Sequence, residues 1–133
     1  MSSPSAKSKI EIYLEEKRKN VLRLDPKEAF EQVGKKDGAI MIDTRPCSFR
    51  EKEGSIPGAI IIERNVLEWR LDPTSPDNIP EAKQANFKPI IVCNEGYASS
   101  LAASSLIEIG IKTATDLKGG FIAWKNQGYP VDP

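Results

Sequence analysis

A cysteine, Cys93, closes the apolar run Pro89-Ile90-Ile91-Val92 and opens a segment of small and polar residues, Asn94-Glu95-Gly96-Tyr97-Ala98-Ser99-Ser100, after which Leu101–Ile109 is helical in character. A thiol thus stands where a buried strand turns into a helix. In such a turn backbone N–H groups converge with the positive end of the helix dipole, so a thiolate or bound anion is stabilised without a cationic side chain. The chain contains no histidine, which removes the Cys-His dyad, the histidine general base and the commonest metal ligand together. A cysteine enzyme of this kind needs a thiolate made by electrostatics and a reaction that asks little proton transfer of the protein, such as sulfur transfer through a persulfide. The competing reading is a small buried apolar residue at a strand end. The Gly and Ser content after Cys93 favours an anion nest built from backbone.

The chain resembles the rhodanese-like sulfurtransferases over about residues 21–131, and several separate segments carry the likeness. Asp43-Thr44-Arg45 after Ala39-Ile40-Met41-Ile42 is similar to that family's first strand-end motif, and Gly54-Ser55-Ile56-Pro57-Gly58-Ala59 to its Gly-His-Ile-Pro-Gly-Ala segment. Cys93 to Ser99 corresponds to the active-site loop, and Gly119-Gly120-Phe121-Ile122-Ala123-Trp124 with Gly128-Tyr129-Pro130-Val131 to the C-terminal helix and its stop. The resemblance implies that Cys93 carries sulfur as a persulfide, held by the backbone N–H groups of Asn94, Glu95, Gly96, Tyr97, Ala98 and Ser99. It also implies that Asp43 and Arg45 support loops by hydrogen bonds and ion pairing. Two positions depart from the pattern: Ser55 replaces a usual histidine and Ala98 a common arginine. Ala98 withholds a cation from the loop, and Glu95 opposes anion approach if its side chain faces inward.

Around this loop the sequence offers other candidates. Arg64, after a buried strand, is the best local cation to hold a substrate anion, set against an ion pair with Glu63 or Glu68. Trp69 and Arg70 fall in a short helix expected over Asn65–Leu71, where a tryptophan either walls the pocket or packs into the core. Cys47 is expected to be a spectator in the helical turn Pro46–Glu53 rather than a resolving thiol.

The elements that must position these residues follow from patterning. Ile10, Tyr13, Leu14, Lys17 and Val21 keep helical spacing, which leaves Glu15-Glu16-Lys17-Arg18-Lys19 largely on a solvated outer face. Asp25-Pro26-Lys27-Glu28 combines an N-cap, a proline at the first helical position and a capping-box glutamate, so a helix begins there and stops at Gly34. Strand patterns at Ala39–Ile42, Ala59–Ile62, Ile90–Val92 and Ala114–Leu117 alternate with helical stretches, which predicts a parallel sheet covered on both faces. With Val21–Leu24 as an edge strand, the fold class is α/β: a three-layer α/β/α domain on a central five-stranded parallel sheet, in agreement with the family resembled. Asp43, Glu63-Arg64 and Cys93 then gather beyond the carboxyl ends of the strands. The proline-rich Asp72–Pro80 is a surface loop that either rims this crevice or merely connects elements.

Composition sets the remaining limits. The 133 residues, 39% of them hydrophobic, suffice for one domain over residues 9–133 behind a polar tail, residues 1–8. Nineteen basic and nineteen acidic residues cancel, so no global field recruits nucleic acid or an anionic membrane. Two cysteines form no secreted disulfide framework and no Cys-x-x-Cys metal pattern. The N-terminus lacks the apolar core of a secretory signal, and a reducing cytoplasm is the expected location. The resulting expectation is a sulfurtransferase without cofactor or metal, moving sulfur from a small sulfane donor to a thiol or protein acceptor. The alternatives are a catalytically idle module that binds a partner or senses sulfide, and the related cell-cycle phosphatase, whose longer loop needs an arginine where this chain has Ser99.

Overall fold

The computed structural model describes residues 6–133. Of the expected polar tail, residues 1–5 lie outside the described residues, Ala6 and Lys7 are exposed, and Ser8 caps the first helix by accepting a hydrogen bond from the Glu11 N–H at 3.2 Å. That helix, α1 (Lys9–Arg18), buries a single residue, Leu14, and leads through Val21 into strand β1 (Leu22–Leu24). Helix α2 (Pro26–Gly34) starts on the expected capping box: Asp25 accepts from the Glu28 N–H at 2.8 Å while Glu28 accepts from the Asp25 N–H at 3.1 Å. Such a cap contributes about 1 kcal/mol.

Strand β2 (Ala39–Asp43) is followed by α3 (Cys47–Glu53), the edge strand β3 (Ile60–Ile61), a 3-10 turn Arg64–Val66 and α4 (Leu67–Leu71). A second 3-10 turn, Pro80–Lys83, precedes β4 (Lys88–Val92), α5 (Ala98–Glu108), β5 (Thr115–Leu117) and α6 (Gly120–Asn126). The strands form one five-stranded sheet in the order β1-β5-β4-β2-β3, every pairing parallel.

The three layers are readable strand by strand. In β2, Ile42 packs with Leu67, Leu71, Ala102 and Leu106 of α4 and α5, whereas Met41 packs with Ala29, Phe121 and Trp124 of α2 and α6. In β4, Ile91 joins the first cluster while Ile90 and Val92 join the second. The apolar runs are therefore continuous because alternate side chains enter two different cores. Each fully buried aliphatic or aromatic side chain contributes about 1.5–3 kcal/mol of transfer free energy.

The chain reverses its direction of winding between β4 and β2: β2 connects to β3 on one side, and β4 connects to β5 on the other. Ligands of open parallel sheets bind at such a switch point, beyond the carboxyl ends of the strands. Here those ends are Asp43 and Val92, paired in register.

Some expectations are corrected. The strand at Ala59–Ile62 contracts to Ile60–Ile61, since an edge strand paired on one side needs only a short ladder. Trp69 is not packed into the core but is 58% exposed, because α4 turns Leu67 and Leu71, four residues apart, to the core. The 72–80 loop does not rim the crevice. It borders Phe87 and Thr113, which lead into β4 and β5 at the opposite end of the sheet, and Arg70 pins it by donating to the Asp77 carbonyl at 3.0 Å.

Candidate active site

Cys93 leaves the sheet one residue after β4 and is 8% exposed. Its Sγ accepts hydrogen bonds from the Gly96 N–H at 3.1 Å and the Ser99 N–H at 3.2 Å. Ser99 is the second residue of α5, so the positive end of that helix is directed at the sulfur. The N–H groups face inward because the loop carbonyls are held outward. Phe121 N–H donates to the Cys93 carbonyl at 2.9 Å and Ile122 N–H to the Asn94 carbonyl at 3.0 Å, which seats the back of the loop on the first turn of α6. The Tyr97 carbonyl accepts from the Ser100 hydroxyl at 2.8 Å.

This seating explains the Gly119-Gly120 pair. Gly120 has φ +65°, and a Cβ there would lie 2.5 Å from the Asn94 oxygen and 2.6 Å from the Cys93 oxygen. Gly96, at φ +89°, approaches the Gly119 nitrogen so closely that its own Cβ would lie 2.7 Å away. Two backbones in direct contact admit no side chain between them.

The Gly96 carbonyl is gripped from outside the loop. Arg18, at the end of α1, donates to it through Nη2 at 3.1 Å, and Arg23 of β1 donates to the same oxygen. Arg18 Nε also donates to the Ser100 hydroxyl at 2.9 Å. Arg23 pairs bidentately with the fully buried Asp116, at 3.0 Å to each oxygen, and Asp116 further accepts from the Ser99 hydroxyl at 2.7 Å. Burial first, and then the like charge of Arg23, lowers the Arg18 pKa from its ordinary value, with Asp116, Tyr97 and Cys93 acting in the opposite sense.

Beneath the loop lies a second buried network. Asp43 accepts from the Arg45 N–H at 2.9 Å and pairs with the Arg45 guanidinium, whose Nη2 also donates to the Gly54 carbonyl at 2.8 Å. The guanidinium lies 3.8 Å from the centroid of the Phe121 ring, with its Nη1 free of hydrogen-bond partners. Asp43 and Arg45 thus link the end of β2 to the segment before β3 and to α6. Thr44 ties β2 to β4 by donating N–H and hydroxyl to the Val92 carbonyl at 2.9 and 2.8 Å.

The sequence-derived candidates separate accordingly. Within the loop, Gly96 and Ser99 are buried, Asn94 is half-buried, and Glu95, Tyr97 and Ala98 are exposed; Glu95 makes no hydrogen bond among the described residues. Arg64 does not join them. Its Nη1 donates to both Glu68 oxygens at 2.9 and 3.0 Å, one helical turn away, and Ser105 of α5 donates to the same carboxylate at 2.6 Å. Burial alone would raise the Glu68 pKa, but the Ser105 hydroxyl, the backbone and Arg64 together bring it below the ordinary value. Cys47 is an exposed free thiol that donates to Glu51, and Cys93 is likewise free. Ser55 acts through its backbone, in an antiparallel bridge with Asp132.

Nothing in the sequence marks Arg23 or Asp116 as site residues. A signal existed for Arg18: it stands four residues after Leu14, so both lie on the one face of α1 that meets the domain. Among the described residues no helix is long and apolar enough to cross a membrane, and no cluster of His, Cys, Asp or Glu is suited to a metal ion.

Residues 25–127 match the model of the rhodanese-like domain. The chain is 31% identical over 111 residues to the thiosulfate sulfurtransferase GlpE of Stutzerimonas stutzeri, spanning 83% of this chain and 89% of that protein. It is 24% identical over 112 residues to a sulfurtransferase of Allochromatium vinosum, spanning 84% and 94%. Among solved structures, a protein of unknown function from Rhodopseudomonas palustris, called a possible tyrosine phosphatase, superposes with a TM-score of 0.84 at 26% identity over 99% of this chain and 100% of that one. With a cysteine cradled at the switch point and a family match over most of its length, the chain belongs to the rhodanese-like domain family.

Proposed function

We propose that this protein is a sulfurtransferase in which Cys93 carries the sulfur. The observation that supports this most strongly is the cradle itself: Sγ accepts two backbone N–H groups while the loop carbonyls are turned away from it. Such a cup stabilises a thiolate and, equally, the terminal anionic sulfur of a persulfide, without any proton-transferring side chain. The thiolate attacks the outer sulfur of a donor. With thiosulfate, the new S–S bond forms as the bond to the sulfite group breaks, and sulfite leaves with the electron pair. A nucleophilic acceptor, cyanide or a thiolate, then takes the terminal sulfur, and the Cys93 thiolate returns. Two relatives named as sulfurtransferases, one of them for thiosulfate, agree with this reading.

Substrate preference follows from the loop's charge. Ala98 offers no cation and Glu95 an exposed carboxylate, so a neutral or protein-bound sulfane donor is favoured over the thiosulfate dianion. Phosphatase chemistry, suggested for the Rhodopseudomonas protein, is disfavoured here. Position 99 carries a serine whose hydroxyl is committed to Asp116, and a phosphoryl group would lack the guanidinium that clamps its charge.

The test is turnover. Thiocyanate formation from cyanide should be measured with thiosulfate and with a thiol persulfide as donors, in the wild type and in Cys93→Ser. Activity in the wild type with at least one donor, and none in Cys93→Ser at unchanged melting temperature, is expected. Wild-type inactivity with both donors, together with stable capture of a partner protein, would favour the idle binding module.

A further inference from the structure

We infer that Arg18, from the helix that precedes the matched family segment, is a positioning residue for the sulfur-binding loop and supplies the positive charge that the loop lacks. The inference rests on the sulfurtransferase reading and deepens it. The family match begins at residue 25, so both arginines that hold the Gly96 carbonyl lie outside it. They do different work. Arg23 is neutralised by its bidentate pair with buried Asp116. Arg18 is half-buried and has no carboxylate partner among the described residues. Two guanidinium groups and one carboxylate leave the cluster with one uncompensated positive charge behind Gly96. A thiolate or persulfide on Cys93 carries the matching negative charge.

The mechanical link is short. Arg18 Nη2 fixes the Gly96 carbonyl at 3.1 Å, while the N–H of the same residue donates to Sγ at 3.1 Å. At Gly96, held at φ +89°, the N–H meets the sulfur while the C=O meets the two guanidinium groups, so the two ends of one residue face opposite partners. Pulling the carbonyl outward therefore keeps the N–H on the sulfur. Arg18 also holds the Ser100 hydroxyl at 2.9 Å, and that hydroxyl secures the Tyr97 carbonyl at 2.8 Å. The Tyr97 ring, 6.0 Å from the guanidinium, covers its outer side. Ala98 borders the groove that Arg18 lines with Leu14, Tyr97 and Leu101; of the two carboxylates on the same groove, Glu15 is paired with Lys7 and Glu11 accepts from the Ser8 hydroxyl, and neither reaches Arg18. A cation reaching the loop from α1 thus supplies, from behind the Gly96 carbonyl, part of the positive charge that Ala98 does not provide at the donor's side.

Alkylation of Cys93 tests this without any sulfur donor. In a Cys47→Ser background, intact-mass rates with neutral iodoacetamide and anionic iodoacetate are compared for Arg18, Arg18→Gln, Arg18→Lys and the neighbouring Lys17→Gln. A loop that has merely loosened changes both rates together, whereas a lost charge lowers the iodoacetate rate relative to the iodoacetamide rate. Arg18→Gln should lower that ratio about fivefold, the factor that corresponds to about 1 kcal/mol. Arg18→Lys should stay within about twofold of the parent, because charge survives while the fork geometry is lost. Lys17→Gln, which removes a half-buried charge one residue away that is already paired with Glu108 at 2.8 Å, should leave the ratio unchanged. If Arg18→Gln fails to fold, the Arg18→Lys ratio and the decline of the parent's ratio with added salt decide instead. An unchanged ratio in Arg18→Gln, an equal fall in Lys17→Gln, or a salt-independent parent ratio overturns the inference. The expected ratios in a protein that accepts sulfur from no donor would uphold the Arg18 role and sink only the sulfurtransferase reading.

Discussion

Replacing Gly120 by alanine tests whether the first turn of α6 builds the cradle. The new Cβ meets the Asn94 oxygen at 2.5 Å, the Asn94 carbonyl carbon at 2.6 Å and the Cys93 oxygen at 2.6 Å, all backbone atoms that no rotamer change can move aside. Overpacking of this kind costs about 1–3 kcal/mol, and holding an alanine at φ +65° adds about 1 kcal/mol. A total near 3 kcal/mol, against an unfolding entropy of about 0.28 kcal/mol/K for 133 residues, lowers Tm by about 10 °C. Gly58 is the control: its φ is +78° but nothing lies within 4 Å of a Cβ there. Gly58→Ala should therefore cost about 1 kcal/mol and about 4 °C in Tm, with sulfur transfer near the wild-type rate. Gly120→Ala should additionally lose at least about tenfold in sulfur transfer at a temperature where it remains folded, because the displaced loop no longer aims its N–H groups at Sγ. Calorimetry and turnover on the two variants decide. Equal melting temperatures and equal activities would refute the proposed backbone contact.

Three further outcomes follow from the site. Arg45→Met leaves the buried Asp43 carboxylate unpaired and removes the guanidinium from the Phe121 ring, so denaturant unfolding should show a loss of about 3–5 kcal/mol; a loss below about 1 kcal/mol would contradict the assigned support role. Glu95→Gln should lower the KM for thiosulfate about two- to fivefold at low ionic strength, and Ala98→Arg should lower it further, both gains shrinking with salt. Identical KM values in all three proteins would show that these side chains do not act on the donor. Cys47→Ser should retain most activity, since that thiol is exposed and engaged with Glu51; loss of turnover at unchanged Tm would point to a two-cysteine mechanism.

What could be read from the sequence was whatever depends on local order. Pro26 after Asp25 and Glu28 after Lys27 specify a helix start wherever the chain goes, and the β-branched run before Cys93 specifies a buried strand ending in a turn. Val21–Leu24 reads as an edge strand, and β1 is one. Long-range partnerships were not legible. Arg18 and Arg23 meet Gly96 across 78 and 73 residues, and the charge run around Arg18 reads as solvated surface unless the depth of α1 against α5 is known. The same limitation applies to Arg64, whose strand-end position suggested the crevice, while a carboxylate one turn later in its own helix captures it. Trp69 misled through residue type: a large aromatic suggests burial, but helical phase gives the buried face to Leu67 and Leu71.

Intact mass after incubation with a persulfide or thiosulfate donor decides whether Cys93 carries transferred sulfur. A gain of about 32 Da that dithiothreitol reverses, that Cys47→Ser retains and that Cys93→Ser lacks is the expected result. No gain with either donor, or a gain that survives in Cys93→Ser, would contradict it.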